Sequence, residues 1–240
     1  MASDASGDKR FCHRPISGLA RAMTTPAPPA PATITIPRAL FILSIFYGGM
    51  VCIAGVLGNK QVAIGPLAVE AGIFAFLLLV VVSSAIAELY GPQRAKHLVW
   101  FGFVPLITSM ILSWIVWALP ASADMLPANR DAIQIVLGAT WRIWGAGIIA
   151  YGVSQTLNVT IFGWLKRGEG KLLWLRAAVA SVLSQIVDTL IFVTVAFYGV
   201  FPIGQLVVGQ MLAKVVLSIV LVPPLIYAFV GLGQWLDGER

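Results

Sequence analysis

After residue 37 the chain alternates between long apolar stretches and short polar breaks. The stretches cover residues 38–58, 67–87, 98–119, 133–165, 172–198 and 204–232. Each is close to or longer than the ~20 residues that carry a helix across a bilayer. The fourth and fifth are longer, which predicts tilt or extension beyond the hydrocarbon. The breaks "GNKQVAIGP", "YGPQRAKH", "PASADMLPANRD", "KRGEGK" and "GVFPIG" carry turn residues. The pattern predicts an all-α membrane protein, a bundle of six transmembrane helices over residues 38–233, with a short tail at 234–240. Residues 1–37 have no long apolar run and end in the Pro-rich "TTPAPPAPATITIP". They read as a disordered leader and linker. Arg10, His13, Arg14 and Arg21 interrupt any signal-peptide core there. Met23 offers an alternative start to Met1.

Within the apolar stretches, polar residues recur at helical spacing. Ser181, Ser184, Gln185 and Asp188 stand at i, i+3, i+4 and i+7, and so do Tyr151, Ser154, Gln155 and Asn158. Each set shares one helix face. Lys214 lies near the middle of the sixth stretch and Arg142 enters the fourth from its end. Ser83, Ser84 and Glu88 approach the end of the second, before Gly91–Pro92. Serine and glutamine in spans often do no more than link helices, at about 0.6 kcal/mol each. Arg142 and Glu88 stand close enough to span ends to snorkel. Asp188 and Lys214 do not. An aspartate at a helix centre costs roughly 2.5–3.5 kcal/mol on insertion scales, and intramembrane ionisable groups mark a ligand site or pathway. Pairing between the two offsets part of that cost, but a pair alone has no use for two polar stripes. The residue types suit a planar solute rich in hydrogen-bonding groups. A carboxylate accepts two parallel N–H bonds, an amide donates and accepts, and Lys or Arg donates to a ring carbonyl.

Composition supports the membrane reading. The chain is 59% hydrophobic and 11% charged, whereas soluble domains carry about 25% charged residues. Mean hydropathy is +0.90. The net charge of +6 is therefore read as topology and not as a nucleic-acid footprint. Twelve of the sixteen Lys and Arg fall before the first stretch, after the second and fourth, or at the end of the chain. That side holds both termini, and the positive-inside rule makes it cytoplasmic, as expected for a multi-pass protein of the cell inner membrane. Trp100, Trp164, Trp174 and Tyr198 near stretch ends fit an aromatic belt. Cys12 and Cys52 are far apart, with no CxxC or Cys/His cluster, so no disulfide framework, metal or cofactor is expected. The histidines are His13 and His97, neither inside a polar stripe, which disfavours acyl transfer or metalloproteolysis and leaves no catalytic residue to name. No GxxxxGK[ST] loop is present. Small-residue runs "YGGM" and "WGAGIIAYG" would allow close helix packing, including a homodimer.

Four fragments resemble, in order, the queuosine precursor transporters, a family of YhhQ-like membrane proteins of vitamin uptake transporter type. "AELYG" is similar to the family's acidic–Tyr–Gly segment closing span two, and "WRIWGAGIIAYGVSQTLNVTIF" to its Arg…Ala-Tyr…Gln segment. "SQIVDTLIF" is similar to its Ser-Gln-x-x-Asp-Thr core and "LAKVVLSIVLVPPLIY" to its Lys…Pro…Tyr pattern. The resemblance spans about residues 40–230. It implies import of deazaguanine precursors of queuosine, 7-cyano-7-deazaguanine and its aminomethyl relative, for tRNA modification. The alternative is a substrate-binding membrane component for another planar solute or vitamin, working with an energising partner. The resemblance also points to Glu88, Arg142, Gln155, Gln185, Asp188 and Lys214 as ligand or structural-core positions; Asn158 and Ser184 join them from the stripes. Family members often carry Asp where this chain has Ser84 and Asn158. Two carboxylates fewer would favour a neutral ligand over the cationic aminomethyl one.

Overall fold

A computed structural model describes residues 36–58, 60–64, 67–138, 141–167, 172–199 and 204–238. The predicted leader lies outside these residues except for its last two positions. The elements in chain order are α1 (Arg38–Leu57), β1 (Gln61–Ile64), β2 (Leu67–Glu70), α2 (Gly72–Tyr90), α3 (Pro92–Ala118), α4 (Pro127–Leu137), α5 (Trp141–Arg167), α6 (Leu173–Phe197) and α7 (Gly204–Asp237). All the helices except α4 are long and apolar enough to cross a bilayer.

The burial pattern is the reverse of a soluble protein's. Ser83, Ser84, Ser154, Gln155, Asn158, Ser181 and Gln185 are fully buried, whereas Trp100, Phe101, Val104, Ile111 and Leu112 of α3 are exposed. Water does not tolerate a contiguous apolar surface of that kind, so the chain is a helical membrane protein whose outer faces meet lipid. Helix α2 sits at the centre, with thirteen of its residues buried, while α3 buries only Ala95, Leu98, Val99 and Gly102. Helices α5, α6 and α7 pack in sequence, and α2 packs against each of them and against α1 and α3. The turn from α2 to α3 is a single residue. Gly91 takes φ 90°, a left-handed conformation open to a residue without Cβ. Pro92 then starts α3 at a position where no N–H is needed.

Four boundaries differ from the sequence pattern. The second apolar stretch, expected from residue 67, begins as a strand, and its helix starts only at Gly72. Strands β1 and β2 form an antiparallel hairpin with Val62 opposite Val69 and Gln61 opposite Glu70. The Ala71 N–H donates to the Lys60 carbonyl at 2.8 Å and extends the ladder. The third helix, expected from residue 98, already starts at Pro92, so most of the expected break "YGPQRAKH" is helical. The fourth stretch, expected from residue 133, splits: its first residues complete α4, which buries none of its residues, and α5 starts at Trp141. The sixth continues through residue 232 to Asp237. Its last turn is tied down there, because Asp237 Oδ1 accepts the Ala39 N–H at 2.9 Å and Oδ2 accepts the Tyr90 hydroxyl.

These ties put the start of α1, the end of α2 and the end of α7 at one end of the bundle. Glu88 joins the end of α5 and the start of α6 to the same place, with Lys166 Nζ at 3.3 Å and Arg176 Nη2 at 3.4 Å. The hairpin and α4 lie at the opposite end. Gly48 and Gly152 of the small-residue runs face Pro105 and Phe103 inside the chain, while Gly49, Gly145 and Gly147 face open space.

Candidate functional site

Because α6 packs between α5 and α7, its polar face meets residues from both. Lys214 Nζ of α7 donates to Asp188 Oδ2 at 2.9 Å, and Ser154 Oγ of α5 donates to Asp188 Oδ1 at 3.1 Å. All three side chains are buried. The Lys214 ammonium also lies 5.8 Å from the centroid of the Phe76 ring of α2, within cation–π range. The two predicted stripes therefore converge on one charged pair, joined by a third helix.

The α5 stripe continues toward α2. Asn158 Nδ2 lies 3.1 Å from both Ser83 Oγ and Ser84 Oγ, and Ser83 Oγ is 3.4 Å from Gln155 Oε1. Ser84 and Asn158 thus touch each other as a neutral hydrogen-bonded pair. Ser184 Oγ donates to the Ser181 carbonyl at 2.9 Å, turned onto its own helix.

Several polar atoms in this centre have no partner among the described residues. Both amide atoms of Gln185, Nε2 of Gln155, Oδ1 of Asn158 and the hydroxyls of Ser181 and Thr189 are buried and unmatched. Leaving one such group unpaired costs about 1–3 kcal/mol. Gln185 is the clearest case, since it lies less than one turn from Asp188, is fully buried, and offers a donor and an acceptor that nothing in the described chain uses. A planar solute could match them.

Two predicted residues stand apart. Arg142 donates from Nε to the Val195 carbonyl at 2.7 Å and from Nη2 to the Tyr198 carbonyl at 2.6 Å. It caps the end of α6, about 18 Å along α5 from Ser154. Glu88 is held by Lys166 and Arg176 at the cation-rich end; Arg176 also lies 5.5 Å from the centroid of the Phe162 ring.

Sequence reasoning overlooked other members. Gln210, Lys214 and Ser218 are all buried and stand at i, i+4 and i+8, a third stripe legible in the spacing of α7. Gln210 Oε1 and Ser218 Oγ are also unpartnered among the described residues. Glu70 had no such signal; the hairpin brings it to this region by packing β2 against α7. Among the described residues no group of three or more His, Cys, Asp or Glu is placed to hold a metal ion.

The chain is similar to known membrane-transporter sequences. The family described as "Putative vitamin uptake transporter" matches residues 70–228. The "Probable queuosine precursor transporter" of Bacillus subtilis (strain 168) is 31% identical over 159 residues, covering 64% of this chain and 67% of that protein. The "Queuosine precursor transporter" of Escherichia coli (strain K12) is 24% identical over 161 residues, covering 67% of this chain and 70% of that protein. No solved structure matches the chain significantly. The family match opens at Glu70 and takes in every residue of the buried centre, and on these similarities the chain belongs to the queuosine precursor transporter family, of vitamin uptake transporter type.

Proposed function

We propose that this chain imports a queuosine precursor, 7-cyano-7-deazaguanine or its aminomethyl relative, across the cell inner membrane for tRNA modification. The observation that carries the reading is Gln185, buried beside Asp188 with neither amide atom partnered among the described residues. A deazaguanine presents a ring N–H and an exocyclic amine side by side. Each Asp188 oxygen engages one partner and retains a second lone pair, so the carboxylate can take that edge while keeping Ser154 and Lys214. Gln185 and the Nε2 of Gln155 supply the remaining donors and acceptor. Lys214, with N–H groups to spare beyond the one on Asp188, donates to the ring carbonyl. Asn158 braces the wall through Ser83 and Ser84, and Ser184 completes the α6 face.

Both termini are assigned to the cytoplasm on the excess of Lys and Arg at the end where Arg38, Arg94, Lys166 and Arg176 stand. In this reading Glu88 holds that end together and Arg142 holds the opposite one.

The test is uptake. Cells unable to make or import queuosine precursors are given this chain and a low concentration of 7-cyano-7-deazaguanine, and queuosine is measured in their tRNA. Wild type is expected to restore it, while Asp188→Asn and Gln185→Leu, inserted at equal abundance, are expected to lose at least about tenfold, the value of one well-formed interaction. Restoration by Asp188→Asn at the wild-type level would remove Asp188 from the binding role. No restoration by correctly inserted wild type would point to another solute or to a missing energising partner.

A further inference from the structure

The hairpin places a second carboxylate at the charged centre. Glu70 ends β2, the strand that packs against α7, the helix carrying Lys214. Its carboxyl sits in a slot made by two glycines. A Cβ on Gly72 would lie 3.3 Å from Gly58 Cα and 3.4 Å from Glu70 Oε1, and a Cβ on Gly58 would overlap Oε1 outright. The slot holds Glu70 against the end of α1 and the start of α2, half-buried. Among the described residues no hydrogen bond or ion pair reaches its carboxyl.

The charges around it do not balance. Lys214 faces it from α7 and Asp188 from α6, and these two already neutralise each other at 2.9 Å. Lys60, just before β1, is exposed, and the end of α1 at this slot, Ala54 to Gly58, carries no charged residue. An ionised Glu70 would therefore leave one uncompensated negative charge beside a buried pair, an unfavourable arrangement unless a positive charge joins it. Independently, Gln210 stands one turn from Lys214 on α7, nine-tenths or more buried, with Oε1 unpartnered among the described residues. Gln210 lies four residues nearer the hairpin end of α7 than Lys214, so its amide oxygen and the Glu70 carboxyl are both acceptors on the hairpin side of the pair. Two acceptors there fit a donor with positive charge and have nothing to offer a nitrile.

We propose that Glu70 is the charge-balancing carboxyl of the centre: it holds a proton when the site is empty or holds a neutral ligand, and gives that proton up to face the alkylammonium of a cationic one, with Gln210 Oε1 as second acceptor. The inference rests on the import reading above for the identity of its ligands, but the proton-holding half stands on the charge arrangement alone. Burial raises the Glu70 carboxyl above its ordinary range; the Lys214 ammonium opposes that shift and the Asp188 carboxylate adds to it. The step balances, with one proton released to solvent for each ammonium bound. Binding of the aminomethyl compound therefore strengthens as pH rises, while binding of the cyano compound does not.

Two measurements on the full chain in lipid test this. Infrared titration, with no ligand, is expected to show a protonated-carboxyl band in wild type that persists to higher pH than an ordinary glutamate's and that Glu70→Gln lacks. An unchanged band in Glu70→Gln overturns the proton assignment. Calorimetric binding of 7-aminomethyl- and 7-cyano-7-deazaguanine is then followed from mildly acid to mildly alkaline pH. Glu70→Gln is expected to lose about tenfold in affinity for the aminomethyl compound, along with its pH dependence, and to keep its affinity for the cyano compound. Equal losses for both compounds, or a retained pH dependence, overturn the ammonium assignment. If neither compound binds wild type, the import reading and the ammonium assignment fall together, and the infrared band still decides the proton. Should Glu70→Gln fail to fold, Glu70→Asp serves in its place, with its carboxyl band displaced from the wild-type position; a band that stays put overturns the assignment.

Discussion

With Lys214 Nζ 2.9 Å from Asp188 Oδ2 and both side chains buried, removing either charge strands the other in a medium that cannot solvate it. Lys214→Met is expected to lower stability by about 3–5 kcal/mol, read as thermal unfolding of the purified protein in detergent. The double variant Asp188→Asn/Lys214→Met is expected to recover most of that loss while remaining unable to take up precursor. A double variant as unstable as the single one would mean that the pair's contribution is packing and not charge. Glu70 offers a second test at this scale. Its raised carboxyl lets the folded chain keep a proton that the unfolded chain loses near its ordinary value of 4.5. The associated stability is complete below that value and declines as pH rises toward the folded-state value. Thermal stability of wild type should therefore fall, relative to Glu70→Gln, between mildly acid and neutral pH. A constant difference between the two would contradict this.

Among the elements, α6 depends on its neighbours at both ends. Its last turn leaves carbonyls without intrahelical donors, and the Arg142 guanidinium of α5 takes two of them, at Val195 and Tyr198. Hydrogen bonds to a charged donor contribute about 1.5–3 kcal/mol. Arg142→Met is expected to speed amide exchange in the last turn of α6 while leaving the residues around Asp188 protected. Loss of protection throughout α6 would instead show that Arg142 organises the centre. The hairpin poses the opposite problem, since an isolated two-stranded hairpin is marginally stable and needs protein packed on one face. Val69 is 1% exposed and the strand lies on α7, so cover and charge arrive through the same contact.

At the scale of the molecule, the cation-rich end and the hairpin end differ enough to predict an orientation. In a variant with the native cysteines replaced by serine, a cysteine at Ser122, in the exposed segment after α3, is expected to react with an impermeant thiol reagent in intact cells. One at Gln93, exposed at the start of α3, should react only after permeabilisation. The reverse pattern would overturn the cytoplasmic assignment of both termini. The same asymmetry leaves Glu88, with Lys166 and Arg176, and Asp237, with Ala39 and Tyr90, as the side-chain ties that hold five helix ends together at one face.

Much of this was legible along the chain. A helix that must bury polar groups away from lipid shows them at i, i+3, i+4 and i+7, so the stripes of α5 and α6 could be read before any fold was known, and that of α7 was there to be read. Spans announce themselves by length because the bilayer has a set thickness. The hairpin did not announce itself: four-residue strands next to a turn and a long apolar run have no periodicity to separate them from the start of a helix. Nor could spacing show that Arg142 would be taken up by α6 carbonyls, or that Glu70 would face Lys214 more than a hundred residues away. Local sequence determined which residues each helix turns inward, because that depends on one helix and its solvent. Which charges meet, and which are left without a partner, was decided only by how the helices pack, because balance is a property of the assembled interior.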